Sequence, residues 1–208
     1  GTTRSSNNRA IIWSVDNLPT QIQRPNGTSN FAYGPYHQRY QQTQADGTPT
    51  TYIGGLYEVM STNGGATVQY RHNIVADGQV IAVHTLDQSG NPSTRYLHYD
   101  HLGSVDTITD DTGVVVQRMS FDAFGQRRDP ANWTDDLTAG DIASLKDTTD
   151  RGFTDQEQLD NVGLVHMNGR VYDPQNGRFI SPDPTVPDPM YSQDLNRYSY
   201  VDTSPLEN

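Results

Sequence analysis

The chain has 208 residues, a formal net charge of −11, a pI near 4.7 and a hydrophobic fraction of 33%. The acidic balance repels phosphate backbones and argues against nucleic-acid binding. The lack of cysteine excludes disulfides, thiolate nucleophiles and Cys-ligated zinc, and no apolar run is long enough to span a membrane or reads as a signal peptide.

From the N-terminus onward the chain repeats one unit. An aromatic or β-branched residue is followed by Asp or Gly, then by a turn with Gly, Leu or Pro, then by another strand. Val15-Asp16-Asn17-Leu18-Pro19, Tyr33-Gly34-Pro35, Tyr99-Asp100-His101-Leu102-Gly103, Phe121-Asp122-Ala123-Phe124-Gly125 and Tyr172-Asp173-Pro174 are instances. Tyr99 to Phe121 is 22 residues, and Tyr33 to Tyr99 is 66, three such steps. Asp46-Gly47, Asn63-Gly64 and Asp77-Gly78 punctuate the degenerate middle units and signal hairpins. The alternation in Thr94–Tyr99 is that of a half-buried strand, while Val114–Met119 is apolar enough to be covered on both faces. The predicted fold is therefore mainly β: repeated antiparallel hairpins forming part of a large curved sheet.

Two short helical turns are expected. Residues 129–160 hold nine acids against two bases, Lys146 and Arg151, and read as a solvated insertion with a weak helical segment at 138–145. Thr154-Asp155-Gln156-Glu157 has the spacing of a capping box, with Gly163 placed to end the turn. Beyond Ser181 the prolines at 182, 184, 187, 189 and 205 cannot donate to a ladder, so the chain should leave the sheet as an extended strap.

The richest stretch is Arg170-Val171-Tyr172-Asp173-Pro174-Gln175-Asn176-Gly177-Arg178-Phe179-Ile180-Ser181-Pro182-Asp183-Pro184. It closely resembles the signature of the Rhs repeat-associated core, at the C-terminal end of the shell of bacterial Rhs and YD-repeat toxins. The resemblance extends to Gly163–Gly169 upstream and Leu195–Val201 downstream; towards the N-terminus it is specific from Tyr96 to Arg127 and diffuse before that. It implies YD-repeat-like hairpins over 1–93 and the core domain over 94–208, with the acidic insertion at 129–160 and a plug segment at 181–208. The sheet would be the wall of a cocoon around an attached C-terminal toxin. Family members often carry Gly-His after the Thr that corresponds to Thr154; here Asp155-Gln156 stands instead.

The resemblance also implies self-cleavage by an aspartyl site. Asp183 matches one catalytic carboxylate, and Arg170, 13 residues earlier, matches a partner arginine. A guanidinium beside a carboxylate lowers its pKa and fixes its rotamer. The alternative for the pair is an ion pair that anchors the plug. Pro205-Leu206-Glu207-Asn208 matches the start of the motif that carries the second Asp, which would lie beyond Asn208. The abrupt ends read as those of a piece of a longer protein, and this piece supplies half of the dyad. Asp173 and Arg178 read as turn and ladder residues.

His98 and His101, three apart on a strand, would face opposite ways, and the other histidines are scattered, so no metal site is expected and no cofactor either. The partners implied are the rest of the shell and its C-terminal toxin, with a delivery machine or another shell subunit beside them. The protein would be secreted or injected from a bacterium, or held at its surface. The competing reading is a surface-displayed module whose tyrosines bind carbohydrate or a partner.

Overall fold

In a computed structural model of the protein, residues 3–6, 9–25, 27–62, 66–134, 137, 142, 148–186 and 188–206 are described. The turn at Asn63-Gly64 and almost all of the helical segment expected at 138–145 lie outside them.

Hairpins dominate, as the turn chemistry predicts. β1 (Thr3–Ser6), β2 (Arg9–Trp13), β3 (Pro19–Arg24), β4 (Gly27–Tyr33), β5 (Arg39–Thr43) and β6 (Pro49–Ile53) lead on to β7 (Tyr57–Thr62), β8 (Thr67–Ala76), β9 (Gln79–Leu86) and β10 (Pro92–Tyr99). β11 (Val105–Thr109) and β12 (Val115–Arg118) complete a sheet whose strands follow chain order throughout, each pairing with the next. A second sheet, in the order β13 (Glu157–Leu159), β14 (Leu164–Met167), β15 (Arg170–Asp173) and β16 (Arg178–Phe179), is a separate antiparallel meander. The chain divides into two compact units, residues 1–98 with 108–116, and residues 99–107 with 117–208.

One five-residue module recurs at seven turns. At Asp100, the main-chain N–H donates to the Ser104 carbonyl at 2.9 Å, and the Asp100 carbonyl accepts the Gly103 N–H at 3.1 Å. Its carboxylate Oδ1 accepts the N–H groups of Leu102 and Ser104 at 2.9 and 2.8 Å. Asp110 and Asp122 repeat every one of these bonds with Thr112 and Val114, and with Phe124 and Gln126. Ser14, Gly34, Gln44 and Asp87 open loops with the same two main-chain bonds. The fourth residue is always left-handed: Asn17, His37, Gly47, Gly90, Gly103, Gly113 and Gly125 all have φ between 59° and 83°. Glycine takes that conformation without a Cβ penalty, which is why it recurs there. The β8–β9 turn is different. Asp77 and Gly78, both at positive φ, form the two-residue connection that Asp-Gly predicts.

In the first unit the buried face is half polar. Ile11, Ile22 and Ser29 lie in register across β2, β3 and β4, and Phe31, Gln42 and Thr50 across β4, β5 and β6. All six are buried. Arg39 covers this row: its guanidinium lies 4.3 Å from the Tyr52 ring centre and donates to Gln42 Oε1 at 3.0 Å. Further along, Arg71, almost wholly buried, pairs with Glu58 at 3.7 Å. These polar rows let a chain with mean hydropathy −0.75 line a sheet without a conventional apolar core.

Three local expectations change. The capping box at Thr154–Glu157 does not open an α-helix. Thr154 and Asp155 are left-handed within a single 3-10 turn, Phe153–Asp155, and Glu157 pairs with His166 in β13–β14. Tertiary pairing overrides the i, i+3 spacing. Val114, Val115 and Val116 are 59%, 43% and 43% exposed rather than covered on both faces, because β12 is the last strand of its sheet. The acidic segment is not wholly solvated: Asp150 is buried, and Asp160 forms a buried ion pair with Arg127.

Candidate functional site

The second unit builds the site from an aromatic cluster outward. Phe153, Val165, Tyr172 and Phe179 form its buried centre, with Phe121, Met167 and Tyr200 against it. Tyr172 pairs with Phe179 across β15–β16, and their rings meet edge to face at 5.7 Å. Tyr200 meets Phe179 in the same way at 5.9 Å. Such pairs each add about 0.5–1.5 kcal/mol beyond area burial. The Tyr172 hydroxyl donates to the Phe124 carbonyl at 2.8 Å, so this fully buried phenol is satisfied.

Arg170 opens β15, two residues before Tyr172 and therefore on the same face. Its guanidinium carbon lies over the Phe179 ring, 3.6 Å from the ring centre. That contact fixes the fork, and the fork meets Asp183: Arg170 Nη2 stands 2.9 Å from Asp183 Oδ2. The two residues singled out by the sequence are thus in contact, each about a quarter exposed.

Asp183 is held from other sides too. The Thr185 N–H and Thr185 Oγ1 donate to Oδ1 at 2.9 and 2.8 Å. Its main chain is clasped to Arg197, with the Asp183 N–H donating to the Arg197 carbonyl at 2.7 Å and Arg197 Nε donating to the Asp183 carbonyl at 2.6 Å. The Thr185 N–H chiefly holds the carboxyl below the usual carboxylate range. Burial opposes it, while the Thr185 hydroxyl, Arg170 and Arg197 add to it. Burial lowers the Arg170 guanidinium from its ordinary value, against the pull of Asp183. Both groups are charged at neutral pH.

Arg170 and Asp183 line a cleft of about 250 Å³ with Gln193, Asp194, Asn196 and Arg197 of the proline-rich strap. Asp194 is a second carboxyl on this cleft. Its Oδ2 accepts the Asp188 N–H at 2.8 Å. No sequence signal marked it, because a lone Asp in a polar loop carries no spacing to read. Asp173 and Arg178 stand where turn and ladder residues should. They pair across β15–β16, and Asp173 caps its turn through Gln175 and Asn176. His101 lies in a turn and not on a strand, while His98 Nε2 meets Thr109 Oγ1 at 3.0 Å. Among the described residues no group of three or more His, Cys, Asp or Glu is arranged to hold a metal, and no helix is long and apolar enough to cross a membrane.

A long chain-order antiparallel sheet with Asp-anchored hairpins, followed by a small aromatic meander, defines a YD-repeat shell. The teneurin YD-shell family matches residues 65–206, and the chain belongs to that family. It is the Rhs/YD-repeat type of shell, seen here as a fragment.

Among curated proteins, it is 26% identical over 217 residues to the tRNA3(Ser)-specific nuclease WapA of Bacillus spizizenii, covering 100% of this chain and 8% of that protein. The tRNA nuclease WapA of Bacillus subtilis (strain 168) is equally similar, with the same coverage. Among solved structures, TcdB2-TccC3 superposes with a TM-score of 0.74 at 18% identity, covering 96% of this chain and 10% of that one. The Photorhabdus luminescens Tc holotoxin pore, bearing an Asp-to-Ala mutation in TccC3, gives 0.73 at 17% identity, with 96% and 10% covered. These structural likenesses establish the fold alone. The chain spans about a tenth of the length of the proteins it matches.

Proposed function

We propose that this chain is part of the wall and plug of a toxin shell that encloses an attached C-terminal toxin, and that Asp183 is one carboxylate of an aspartyl site that cuts the toxin free. The observation that carries the reading is the Arg170–Asp183 pair on an open cleft. A guanidinium set over Phe179 and paired with one carboxylate oxygen is more than an anchor requires, since the Arg197 carbonyl and Nε already clasp the Asp183 main chain. The relatives favour the same reading. One superposing structure is TcdB2-TccC3 without its hypervariable C-terminal region, and the curated relatives are named as tRNA nucleases. The partners would then be the remaining shell and the toxin, and the setting secreted or injected. Residues 1–93 would serve as wall, and 94–208 as the core that ends in the plug.

Cleavage needs a second acid, since aspartyl chemistry shares one proton between two carboxyls. The resemblance puts that acid beyond Asn208. The test is the longer protein, continued through that second aspartate within the intact shell. It should cut itself just after the Leu of the Pro-x-x-x-x-Asp-Pro-x-Gly-Leu motif whose start Pro205–Asn208 resembles. Asp183→Asn should leave a folded, uncut shell on a gel and by intact mass. Full-rate cutting by Asp183→Asn would leave Asp183 a plug anchor.

The binding-module reading retains one observation in its favour. Tyr57 and Tyr70 share a face of β7–β8 and are each nearly half exposed, and Tyr57 stacks on His72 at 4.2 Å. A glycan-array signal lost in Tyr57→Ala and Tyr70→Ala would support it.

A further inference from the structure

Asn-Gly occurs four times in the chain, at 26–27, 63–64, 168–169 and 176–177. Both residues are described in the last two pairs, and their surroundings differ. Asn176 Nδ2 donates to Asp173 Oδ2 at 2.7 Å, the Asn176 N–H donates to the Asp173 carbonyl at 3.2 Å, and Gly177 sits against the Phe124 ring. Asn168 and Gly169 form the two-residue connection between β14 and β15, closed by the Met167–Arg170 pair. Both are exposed, and among the described residues no hydrogen bond holds the Asn168 amide or the Gly169 N–H. Asn168 is left-handed at φ 51° and Gly169 is not, the pattern of a type II′ turn. At Asp77-Gly78 both residues are left-handed, the pattern of type I′. The first central residue of a type II′ turn has ψ of about −120°. There the Cα–Cβ bond nearly eclipses the bond to the next nitrogen, which is the torsion a five-membered ring through Cγ and that nitrogen requires.

We propose that Asn168 is a site of spontaneous deamidation, and that the isoaspartate formed there loosens the turn that carries Arg170. The Gly169 main-chain nitrogen bonds to Asn168 Cγ, the bond from Cγ to the amide nitrogen breaks, and ammonia leaves with the proton that Gly169 gives up. A cyclic imide results. Water then opens it at either carbonyl, and its proton returns to the Gly169 nitrogen. Breaking the bond to Cγ gives an aspartate in an ordinary chain. Breaking the bond to the main-chain carbonyl carbon gives an isoaspartate, whose main chain runs through Cβ and Cγ and is one carbon longer. One water is consumed and one ammonia released, with no oxidant or reductant. A two-residue hairpin loop has no slack for that carbon, because the length of the loop sets the strand register. Arg170 is the first residue past the turn. Its contact with Asp183 at 2.9 Å and its place over Phe179 both depend on that register.

Trypsin separates the two pairs, since cuts at Arg151, Arg170 and Arg178 put Asn168 in the peptide 152–170 and Asn176 in 171–178. The experiment ages the full-length protein at mildly alkaline pH, folded and in urea, and follows both peptides by mass spectrometry. An isoaspartyl methyltransferase marks the isoaspartate. In the folded protein Asn168 should convert several-fold faster than Asn176, and in urea the two rates should converge. An unconverted Asn168, equal rates in the folded protein, or a faster Asn176 overturns the site. Gly169→Ala fits, because nothing lies within 4 Å of the added Cβ and φ is not positive. It should slow the conversion several-fold, since a methyl group beside the nitrogen hinders its attack. Amide exchange of β14 and β15 reads the consequence. It should quicken in aged wild type in step with the isoaspartate formed, and hold its fresh rate in Gly169→Ala aged in parallel. Freshly prepared Asn168→Asp carries the new charge without the extra carbon and should exchange like unaged wild type. Unchanged exchange in isoaspartate-rich protein, or equally quick exchange in fresh Asn168→Asp, overturns the lengthened turn as the cause.

Discussion

Phe153 lies so close over Gly125 that a Cβ at position 125 would stand 2.5 Å from its ring. Gly125 is the left-handed residue of the Asp122 turn, so one position answers to two constraints, its φ of +83° and the aromatic centre beneath it. Gly113 holds the same place in the Asp110 turn, at φ +82°, with nothing within 4 Å.

The two glycines give a matched pair of substitutions. Gly113→Ala should cost about 1 kcal/mol, the strain of an L-residue in the left-handed region. Gly125→Ala should cost about 2–4 kcal/mol, because overpacking against Phe153 is added to that strain. Urea midpoints of the two variants would measure the difference, and equal midpoints would contradict the packing seen around Phe153.

Arg127 and Asp160 meet at 2.8 Å with both side chains 8% exposed, and the guanidinium also lies 5.1 Å from the Phe121 ring centre. Removing one partner strands the other charge in the interior. Asp160→Leu alone should cost about 3–5 kcal/mol, whereas Arg127→Met with Asp160→Leu should recover much of that loss. A double-mutant cycle on denaturation midpoints checks the coupling.

Acid should weaken the fold through a definable set of groups. Asp183 is held below the usual carboxylate range chiefly by the Thr185 N–H, Asp110 chiefly by the Thr112 side chain, and Asp87 chiefly by the Asn91 side chain. A carboxyl depressed in the folded state contributes stability above its unfolded pKa, about 3.9 for Asp. That contribution is lost as the pH falls through the lower folded value. Denaturant midpoints should therefore be level from pH 7 to about 5 and decline below about 4. The combined change Asp87→Asn, Asp110→Asn and Asp183→Asn should make that decline shallower. An unaltered slope would show that other groups carry it.

The fold was legible where chemistry is local. Asp100 with Gly103 and Asp122 with Gly125 carry their turns in their own side chains and φ angles, so an aromatic-Asp-x-x-Gly unit can be read directly. The sequence reading missed the turns at Asp87 and Asp110, which close with the same main-chain bonds; Leu86 departs from the aromatic or β-branched opening of the unit, whereas Thr109 fits it. The turn between β2 and β3 is anchored by Ser14 and not by Asp16, since the loop is counted from the residue whose N–H and C=O close it. Capping-box spacing at Thr154 misled because i, i+3 chemistry is shared by helices and other turns, and the pairing of Glu157 with His166 is not local. Asp183 and Arg170 were found through their motif. Their neighbours Arg197 and Asp194 reach the cleft only through the path of the strap.

The hairpin module has a bearing on how such a wall can change over generations. Each five-residue loop is closed by two main-chain hydrogen bonds of its own, and each strand of the long sheet pairs with its neighbours in the chain. A duplicated or deleted pair of strands would carry its closures with it and restore the same alternation, leaving distant parts undisturbed. Wall length is then free to drift in steps of two strands. The meander around Phe179 has no such freedom, because Arg170, Tyr172, Phe179 and Tyr200 all depend on a single register.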